Sequence, residues 1–263
     1  MEMKPKVYFT NLHAEKREDN RIHKIKRIIE AAGLTSVITE KDLTAVKVHF
    51  GERGNDTFLA PWYIRPMVDA VKSKGAKAFI TDTNTLYLGS RKNSINHLLT
   101  AIEHGFGFEV TGAPLIIADG LTGQNYVEVE IKKDRFEKVK IASDIYYADA
   151  MMVISHFKGH VMAGFGGAIK NLAMGCAPAA GKIEQHSARP VSDPEKCTGC
   201  GICTNTCPQD TIELIDGKSV IHPEKCIGCG ECMANCPSEA IELNWEAEIP
   251  PFVERMTEYA YGA

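Results

Sequence analysis

Eight of the nine cysteines in this 263-residue chain lie in two short runs that share one spacing. Each run reads Cys-x2-Cys-x2-Cys-x3-Cys-Pro, and the runs close at Pro208 and Pro237. The cysteines are Cys197, Cys200, Cys203, Cys207, Cys226, Cys229, Cys232 and Cys236. A [4Fe–4S] cubane takes one thiolate on each iron, and this spacing is typical of chains that carry two of them. The pattern therefore predicts two [4Fe–4S] clusters as cofactors.

Two other uses of closely spaced cysteines fit this sequence less well. Structural zinc sites also use Cys-x2-Cys, but they do not require a third and fourth cysteine followed by proline. A secreted disulfide framework would follow a signal peptide, yet no apolar run comes after Met1–Lys6. We therefore expect iron ligation, in a protein of the cytoplasm.

The two cysteine runs belong to a duplicated unit. Residues 194–214 and 223–243 are identical at 13 of 21 aligned positions, which indicates an internal repeat. The segment resembles the bacterial-type ferredoxins with two [4Fe–4S] clusters, in which the last cysteine of each run binds the other cluster. The resemblance implies one cluster on Cys197, Cys200, Cys203 and Cys236, and a second on Cys226, Cys229, Cys232 and Cys207.

A second stretch, residues 154–185, combines basic side chains with glycines. His156, Lys158 and His160 alternate along an extended segment, so their side chains share one face at the end of a buried strand. A glycine-rich loop then leads into a predicted helix, whose free N–H groups and dipole favour an anion. The predicted binding residues of this loop and helix are Gly164, Gly166, Gly167, Lys170 and Asn171.

Polar residues follow two other predicted strands. Lys47 and His49 share one face of the first, and Asp82 and Asn84 follow the second. Ligands of open α/β sheets bind beyond the carboxyl ends of the strands, so these side chains are expected to converge with those of His156–His160. Taken alone, a histidine such as His49 is more often an ordinary core or surface residue.

Two residues argue against other kinds of site. Ile169 stands where a dinucleotide-binding fingerprint needs its third glycine, which excludes that interpretation. The ninth cysteine, Cys176, is expected to be a small buried apolar side chain, in preference to a redox or nucleophilic thiol.

Strand-like and helix-like segments alternate before the cysteine runs, which predicts an α/β fold with a mainly parallel sheet and an appended ferredoxin-like module. We expect an α/β domain over 1–187, the two-cluster module over 190–246, and a C-terminal helix over 247–263 that packs back on the large domain. Residues 187–192 are expected to be a linker. The predicted strands are 7–10, 44–50, 78–81, 115–118, 126–131 and 150–156, and the predicted helices are 20–32, 61–74, 93–103, 167–174 and 252–260.

Several of these segments resemble a known family. The runs SHFKGHVMAGFGGAIKNLAMGC, VKVHFGERGN and ERMTEYAYG, with the duplicated segment, resemble the DUF362 family of iron–sulfur proteins over nearly the whole chain. This resemblance implies the fold and the cofactor and leaves the reaction open. A weaker resemblance links the glycine-rich run to the nickel-pincer lactate racemase group, where a similar run follows a catalytic histidine. It implies catalytic positions for His160 and Lys170.

Charge is divided unevenly along the chain. Residues 190–246 hold ten acidic and three basic side chains, a net charge of −7, while the rest of the chain carries +3. Nucleic acid is a poor partner for such an acidic module, and no stretch has the roughly 18 apolar residues that a membrane helix needs. The expected partners are an electron donor or acceptor protein and an anionic small molecule.

Three functions remain open from the sequence. The first is an oxidoreductase whose clusters pass single electrons to an anionic substrate or cofactor in the α/β cleft. There, Lys158 and Lys170 would hold the anion, and His156 or His160 would deliver protons, with His49 as a further catalytic candidate. The second is an electron carrier or docking protein without its own active site. The third is a racemase-like enzyme with structural clusters.

Overall fold

The computed structural model describes residues 6–86, 89–160, 163–187, 189–207, 209–223, 225–226, 230–244 and 249–263. Its helices are α1 (Arg21–Ala31), α2 (Arg65–Lys72), α3 (Ser94–Glu103), α4 (Phe108–Thr111), α5 (Ser143–Tyr146), α6 (Ala168–Cys176), α7 (Ala179–His186), α8 (Ile202–Thr206), α9 (Glu231–Asn235) and α10 (Ile249–Gly262). Its strands are β1 (Leu43–Lys47), β2 (Lys77–Asp82), β3 (Leu115–Ile117), β4 (Tyr126–Glu130), β5 (Lys138–Ala142), β6 (Ala150–Val153), β7 (Lys158–His160), β8 (Gly164–Gly166), β9 (Arg189–Ser192), β10 (Ile212–Ile215), β11 (Lys218–Ile221) and β12 (Ile241–Asn244). Short 3-10 turns at Arg17–Asp19 and Pro61–Tyr63 precede α1 and α2.

A four-stranded sheet organises the first two thirds of the chain. Its strand order is β3–β2–β1–β6, and each neighbouring pair is parallel. Nearly every residue of β1 and β2 is buried, as expected for a parallel sheet that is covered on both faces. One core joins Val46 of β1 and Ile80 of β2 to Ile29 of α1 and Val68 of α2. The predicted α/β class with a parallel sheet is therefore confirmed.

Local sequence signals set the ends of the outer helices. Asn20 caps α1 by accepting the backbone N–H of His23, and Asn93 caps α3 in the same way from Asn96. Gly75 follows α2 with a φ of +78°, a conformation that stops a helix and favours glycine. The predicted helices at 20–32 and 93–103 are thus confirmed to within one residue at each end.

Four segments differ from their predicted structure. Residues 7–10 form no strand, because nothing in the described part of the chain pairs with them, and Val7 is 90% exposed. The segment 126–131 contains β4, but β4 pairs antiparallel with β5 outside the parallel sheet. The expected linker contains β9, which pairs antiparallel with β12 of the second cysteine repeat. Helix α7 has no counterpart among the predicted elements.

The cysteine-rich segment folds as two similar halves. Helices α8 and α9 pack together, and each starts after a glycine with positive φ, Gly201 at +73° and Gly230 at +80°. Each half ends in an antiparallel pairing, β10 with β11 and β12 with β9. A Cβ at Gly199 would lie 2.4 Å from the carbonyl oxygen of Gly217, so the first cysteine loop requires glycine there.

Helix α10 packs against the α/β part of the chain. Phe252 is fully buried beside α6, and its ring stacks on His186 of α7 with centroids 4.9 Å apart. Tyr259 is also fully buried and its hydroxyl donates a hydrogen bond to Glu184 of α7. Across the described residues, no helix is long and apolar enough to span a membrane.

We predict that Phe252→Ala lowers the free energy of unfolding by about 3–5 kcal/mol, because it empties a fully buried aromatic site between α10, α6 and α7. Thr257→Ala on the exposed side of the same helix is the matched control and should change it by less than about 0.5 kcal/mol. Chemical denaturation followed by circular dichroism measures both. Equal, small effects would show that α10 does not stabilise the fold.

Candidate functional site

A cavity of about 930 Å³ opens at the carboxyl ends of β1, β2 and β6. Side chains that follow these strands line it together with residues of α6 and α7. The polar and glycine residues of its lining include His49, Asp82, Thr83, Arg91, His156, Lys158, His160, Gly166, Gly167, Lys170, Asn171, Lys182 and His186. The structure therefore brings together His49, Asp82 and the basic residues of 156–160, from three strand ends. Lys47 and Asn84, which the sequence also places there, are not among the lining residues.

A buried ion pair lies beneath the cavity. Lys47 Nζ is 2.9 Å from Asp82 Oδ1, and both side chains are almost inaccessible to solvent. Arg91 Nη1 lies 3.2 Å from the second carboxylate oxygen of Asp82, and Asn171 Oδ1 accepts a 2.7 Å hydrogen bond from Lys47. Burial alone would raise the pKa of Asp82, but the adjacent positive charges, above all that of Lys47, hold it well below its ordinary value. Asp82 is therefore a permanent negative charge.

A second buried network continues from this pair towards α7. Lys182 Nζ donates hydrogen bonds to Thr83 Oγ1 at 2.6 Å and to the carbonyl oxygen of Ala177 at 2.5 Å. Asp119 accepts from the backbone and side-chain nitrogens of Asn84 at 3.0 Å. Burial raises the pKa of Asp119 to about 6 and lowers that of Lys182 to about 8, although their opposite charges partly counter both shifts.

The predicted basic residues His156, Lys158 and His160 all line the cavity. The last two belong to β7, which pairs with β8 as a hairpin at its edge. Lys170 of α6 lies opposite this hairpin, with its Nζ 2.6 Å from His160 Nε2. Burial and the charge of Lys158 lower the pKa of Lys170 to about 8. The three alternating side chains of residues 156–160 therefore line one cavity, as expected. Their chemical roles stay predictions.

The glycine loop contributes to the cavity only in part. Gly166 and Gly167 line it, whereas Gly164 is exposed at the far end of β8, with a φ of +71°. Asn171 lines the cavity, but its side-chain amide already forms hydrogen bonds within the protein. Its oxygen accepts from Lys47, and its nitrogen donates to the carbonyl oxygen of Ile154. Asn171 therefore braces α6 against β1 and β6.

His49 lines the cavity as a neutral imidazole. The backbone N–H of Gly51 donates to its Nδ1 at 3.0 Å, so the remaining nitrogen, Nε2, carries the ring hydrogen. Burial and the charge of Arg91 lower the pKa of His49 below its ordinary value. His97 lies deeper, fully buried, with its Nε2 3.8 Å from Asp82 Oδ2.

Among the residues of the lining that sequence reasoning missed are Arg91, Lys182 and His186. Lys182 and His186 are four residues apart on α7, and that spacing would have placed them on one face had the helix been expected. Arg91 lies in an irregular segment before α3, where no periodic pattern places a side chain.

The cysteine segment presents thiols whose sulfur atoms accept backbone hydrogen bonds. The N–H groups of Ser219, Thr211 and Ala240 donate at 3.3–3.4 Å to the sulfur atoms of Cys197, Cys207 and Cys236, respectively. N–H groups directed at sulfur stabilise thiolates and are one way in which proteins tune iron–sulfur clusters. Seven of the eight candidate ligands lie in the described part of the chain, whereas Cys229 lies outside it. The hydrogen bonds to these three sulfur atoms are of the kind that cluster ligands receive.

The environments of the remaining candidate ligands differ. Cys203 and Cys232 are buried, Cys226 is half-buried and Cys200 is exposed. Among the described residues, no three His, Cys, Asp or Glu side chains form a group suited to holding a metal ion.

Cys176 lies apart from these thiols. It is fully buried in the core between α6 and α10, and its sulfur is 3.9 Å from that of Met151. Burial raises its pKa to about 11, which disfavours the reactive thiolate. Its setting is that of a small apolar core residue.

Only a thin layer of side chains separates the cavity from the cysteine segment. Leu86 lines the cavity and also belongs to the apolar cluster that contains Cys203 and Cys232. Helix α7 contributes Lys182 to the cavity and Ile183 to that same apolar cluster. Gly230, two residues before Cys232, lies against this helix, since a Cβ at Gly230 would be 3.3 Å from Ile183 Cδ1.

Fold and site together define an α/β protein with a polar cavity at one edge of a parallel sheet and a cysteine-rich segment beside it. The chain belongs to the DUF362 family, a domain of unknown function, whose family model matches residues 44–263. Among solved structures, the chain is similar to the lactate racemase apoprotein from Thermoanaerobacterium thermosaccharolyticum, with a TM-score of 0.43 and 13% sequence identity. That alignment covers 82% of this chain and 46% of the racemase, so the chain spans less than half of that protein. No curated protein matches the chain.

We predict that His97 makes the fold sensitive to acid. Burial lowers its pKa to about 3, so between that pH and about 6.5 the unfolded chain binds a proton that the folded chain does not. The free energy of unfolding of the wild type should therefore decrease as the pH is lowered across this window, and it should be fully regained above the window. In His97→Asn, the slope of unfolding free energy against pH should be smaller by about 1.4 kcal/mol per pH unit. Parallel slopes in denaturation series from pH 6 to pH 4 would contradict a neutral His97.

Proposed function

We propose that this protein is an iron–sulfur oxidoreductase that passes single electrons between two [4Fe–4S] clusters and an anionic substrate or cofactor in the cavity. The observation that carries the proposal is the shared position of Leu86, which lines the cavity and packs among the candidate cluster cysteines. An electron conduit and a polar cavity rarely need to be adjacent unless one serves the other.

The arrangement of α7 favours a particular order of electron flow. Gly230 and Cys232 lie beside Ala179 and Ile183 of α7, so the cluster that Cys232 would bind is proposed to lie next to the cavity. The other loop carries Cys200, which is exposed, so the cluster on that loop would be the one nearer a protein partner. Electrons would then enter or leave through the Cys200 side and reach the cavity through the Cys226 side. When bound, the clusters supply one-electron chemistry.

The cavity residues have complementary roles in this proposal. Lys158 carries a positive charge at the cavity edge and forms no ion pair in the described part of the chain, which suits it to an anion. His156, His160 and Lys170 can exchange protons with a ligand held there. Asp82 is neutralised by Lys47 and Arg91, and so does not repel an anion.

The cavity also bears on the alternatives. A carrier that only docks partners needs no polar cavity of about 930 Å³ beside its electron-transfer module, which favours the enzyme. A racemase-like enzyme with structural clusters would contain nickel, so metal analysis separates it from the proposed oxidoreductase.

We predict about eight iron and eight sulfide per chain after anaerobic purification, four of each per cubane. Cys207→Ala should damage the cluster on the Cys226–Cys232 loop and spare the one on Cys197–Cys203, because the duplicated motif implies cross-ligation. Cys176→Ala is the matched control and should retain both clusters. Electron paramagnetic resonance of the reduced proteins distinguishes the two clusters. Zinc without labile sulfide, or loss of only the first cluster in Cys207→Ala, would overturn this assignment.

We further predict that an anion in the cavity lowers the midpoint potential of one cluster, because added negative charge disfavours an added electron. Sulfate serves as the probe, and redox titration with and without it provides the measurement. Lys158→Met should require at least tenfold more sulfate for the same shift and leave the cluster absorbance unchanged. Lys138→Met, on the exposed side of β5, is the control and should keep the shift. If sulfate binds and neither cluster responds, the cavity is not coupled to the clusters and the proposed function is wrong.

A further inference from the structure

The contact between Lys170 and His160 joins two groups that are both usually counted as donors. Lys170 Nζ lies 2.6 Å from His160 Nε2. A hydrogen bond at this distance needs one hydrogen and one lone pair between the two nitrogens. The protonation of the imidazole therefore decides which of the two groups is the acceptor.

A hydrogen bond from the backbone fixes the tautomer of the His160 ring. The N–H of Ala163 donates to His160 Nδ1 at 3.1 Å, so Nδ1 carries a lone pair. A neutral imidazole with a lone pair on Nδ1 has its hydrogen on Nε2. His160 Nε2–H must then donate to Lys170, and only an uncharged amine can accept, because an ammonium group has no lone pair.

The surroundings of Lys170 favour the uncharged amine. Its charged and titratable neighbours are Lys158 and His160 on β7 and His186 on α7. The stems of Lys158 and Lys170 flank the same glycine, since a Cβ on Gly166 would lie 3.8 Å and 3.7 Å from them. In the described chain Lys170 has no carboxylate partner, and burial together with Lys158 brings its pKa to about 8. The face of Phe252 on α10, 5.7 Å from Nζ, is the remaining contact that favours a cation.

We propose that Lys170 and His160 form a proton-accepting pair, in which Lys170 is an amine held by His160 and takes up one proton from solvent when an anion enters the cavity. The anion stabilises the ammonium form. A protonated Lys170 can no longer accept from His160 Nε2–H, so it exchanges that contact for the anion. The site thus binds an anion together with a proton, and Lys170 becomes the proton donor nearest the ligand. The proposal rests on the anion-binding part of the proposed function and is independent of electron transfer.

The test measures protons taken up per bound anion. Sulfate is the probe because it does not titrate between pH 7 and pH 9.5. Calorimetry of the cluster-loaded protein in two buffers with different heats of ionisation gives the uptake. We expect little uptake at pH 7 and close to one proton per sulfate above pH 8.5. Over the upper part of this range, sulfate affinity should fall by about tenfold per pH unit, as one linked proton requires.

Two variants divide the roles of the lysines. Lys170→Met should still bind sulfate through Lys158, with no uptake and no fall in affinity above pH 8. Lys158→Met should bind sulfate at least tenfold more weakly and keep the uptake. An uptake that is absent in the wild type, or that persists in Lys170→Met, overturns the proposal.

A second measurement does not depend on sulfate. Acetylation of Lys170 by acetic anhydride, followed by mass spectrometry, reports the fraction of uncharged amine at each pH. Its rate should reach half its plateau near pH 8, whereas a half-point near pH 10.4, the value for a free lysine, overturns the proposal. Failure of sulfate to bind at any pH rejects this proposal and the anion site together. Electron transfer is judged separately, from the iron content and the two cluster spectra.

Discussion

The buried pair of Lys47 and Asp82 is the interaction on which the geometry of the site depends. The two residues end neighbouring parallel strands, and each also holds a third element: Lys47 donates to Asn171 of α6, and Asp82 accepts from Arg91 before α3. A Cβ at Gly175 would lie 2.5 Å from Lys47 Nζ, so α6 can approach the pair only because that position is glycine. Removing one member of such a pair leaves an uncompensated buried charge, at a cost of about 3–5 kcal/mol. The pair therefore holds the sheet edge, α6 and the Arg91 segment in one arrangement.

This arrangement has an electrostatic result. The carboxylates nearest the cavity are already committed to cations: Asp82 to Lys47 and Arg91, and Glu52 to Arg91. Lys158 and Lys170 therefore act on the cavity without a compensating carboxylate in the described residues. An anion that enters meets two lysine side chains and several imidazoles, and the acidic cysteine segment lies beyond Leu86. The basic residues of the cavity and the acidic cysteine segment are neighbours across one apolar layer.

The sequence predicted the parts of this structure that depend on local patterns. The parallel sheet and the polar residues after β1, β2 and β6 follow from strand periodicity, and side chains from those strand ends meet in one cavity. Contacts made by distant partners could not be predicted in this way. Helix α7 begins after Pro178 and contains Gly181, which weakens any helical pattern, and the packing of Tyr259 against that glycine stabilises it. Strand β9 exists because β12 pairs with it, and residues 7–10 have the composition of a strand but no partner in the described chain.

The position of α7 limits how far the cysteine segment can be treated as an exchangeable cassette. Ile183 and Ala179 belong to the apolar cluster of the cysteines, while Lys182 of the same helix points into the cavity network. A chimera joined between residues 187 and 192 would give the incoming module a foreign docking surface, and would leave Leu86 and Ile183 without their partners. Transfer of the cysteine segment to another protein would have to include α7, and with it Lys182 and part of the cavity wall. Helix α7 thus joins the two parts of the molecule, with Lys182 in the cavity and Ile183 in the apolar cluster of the cysteines.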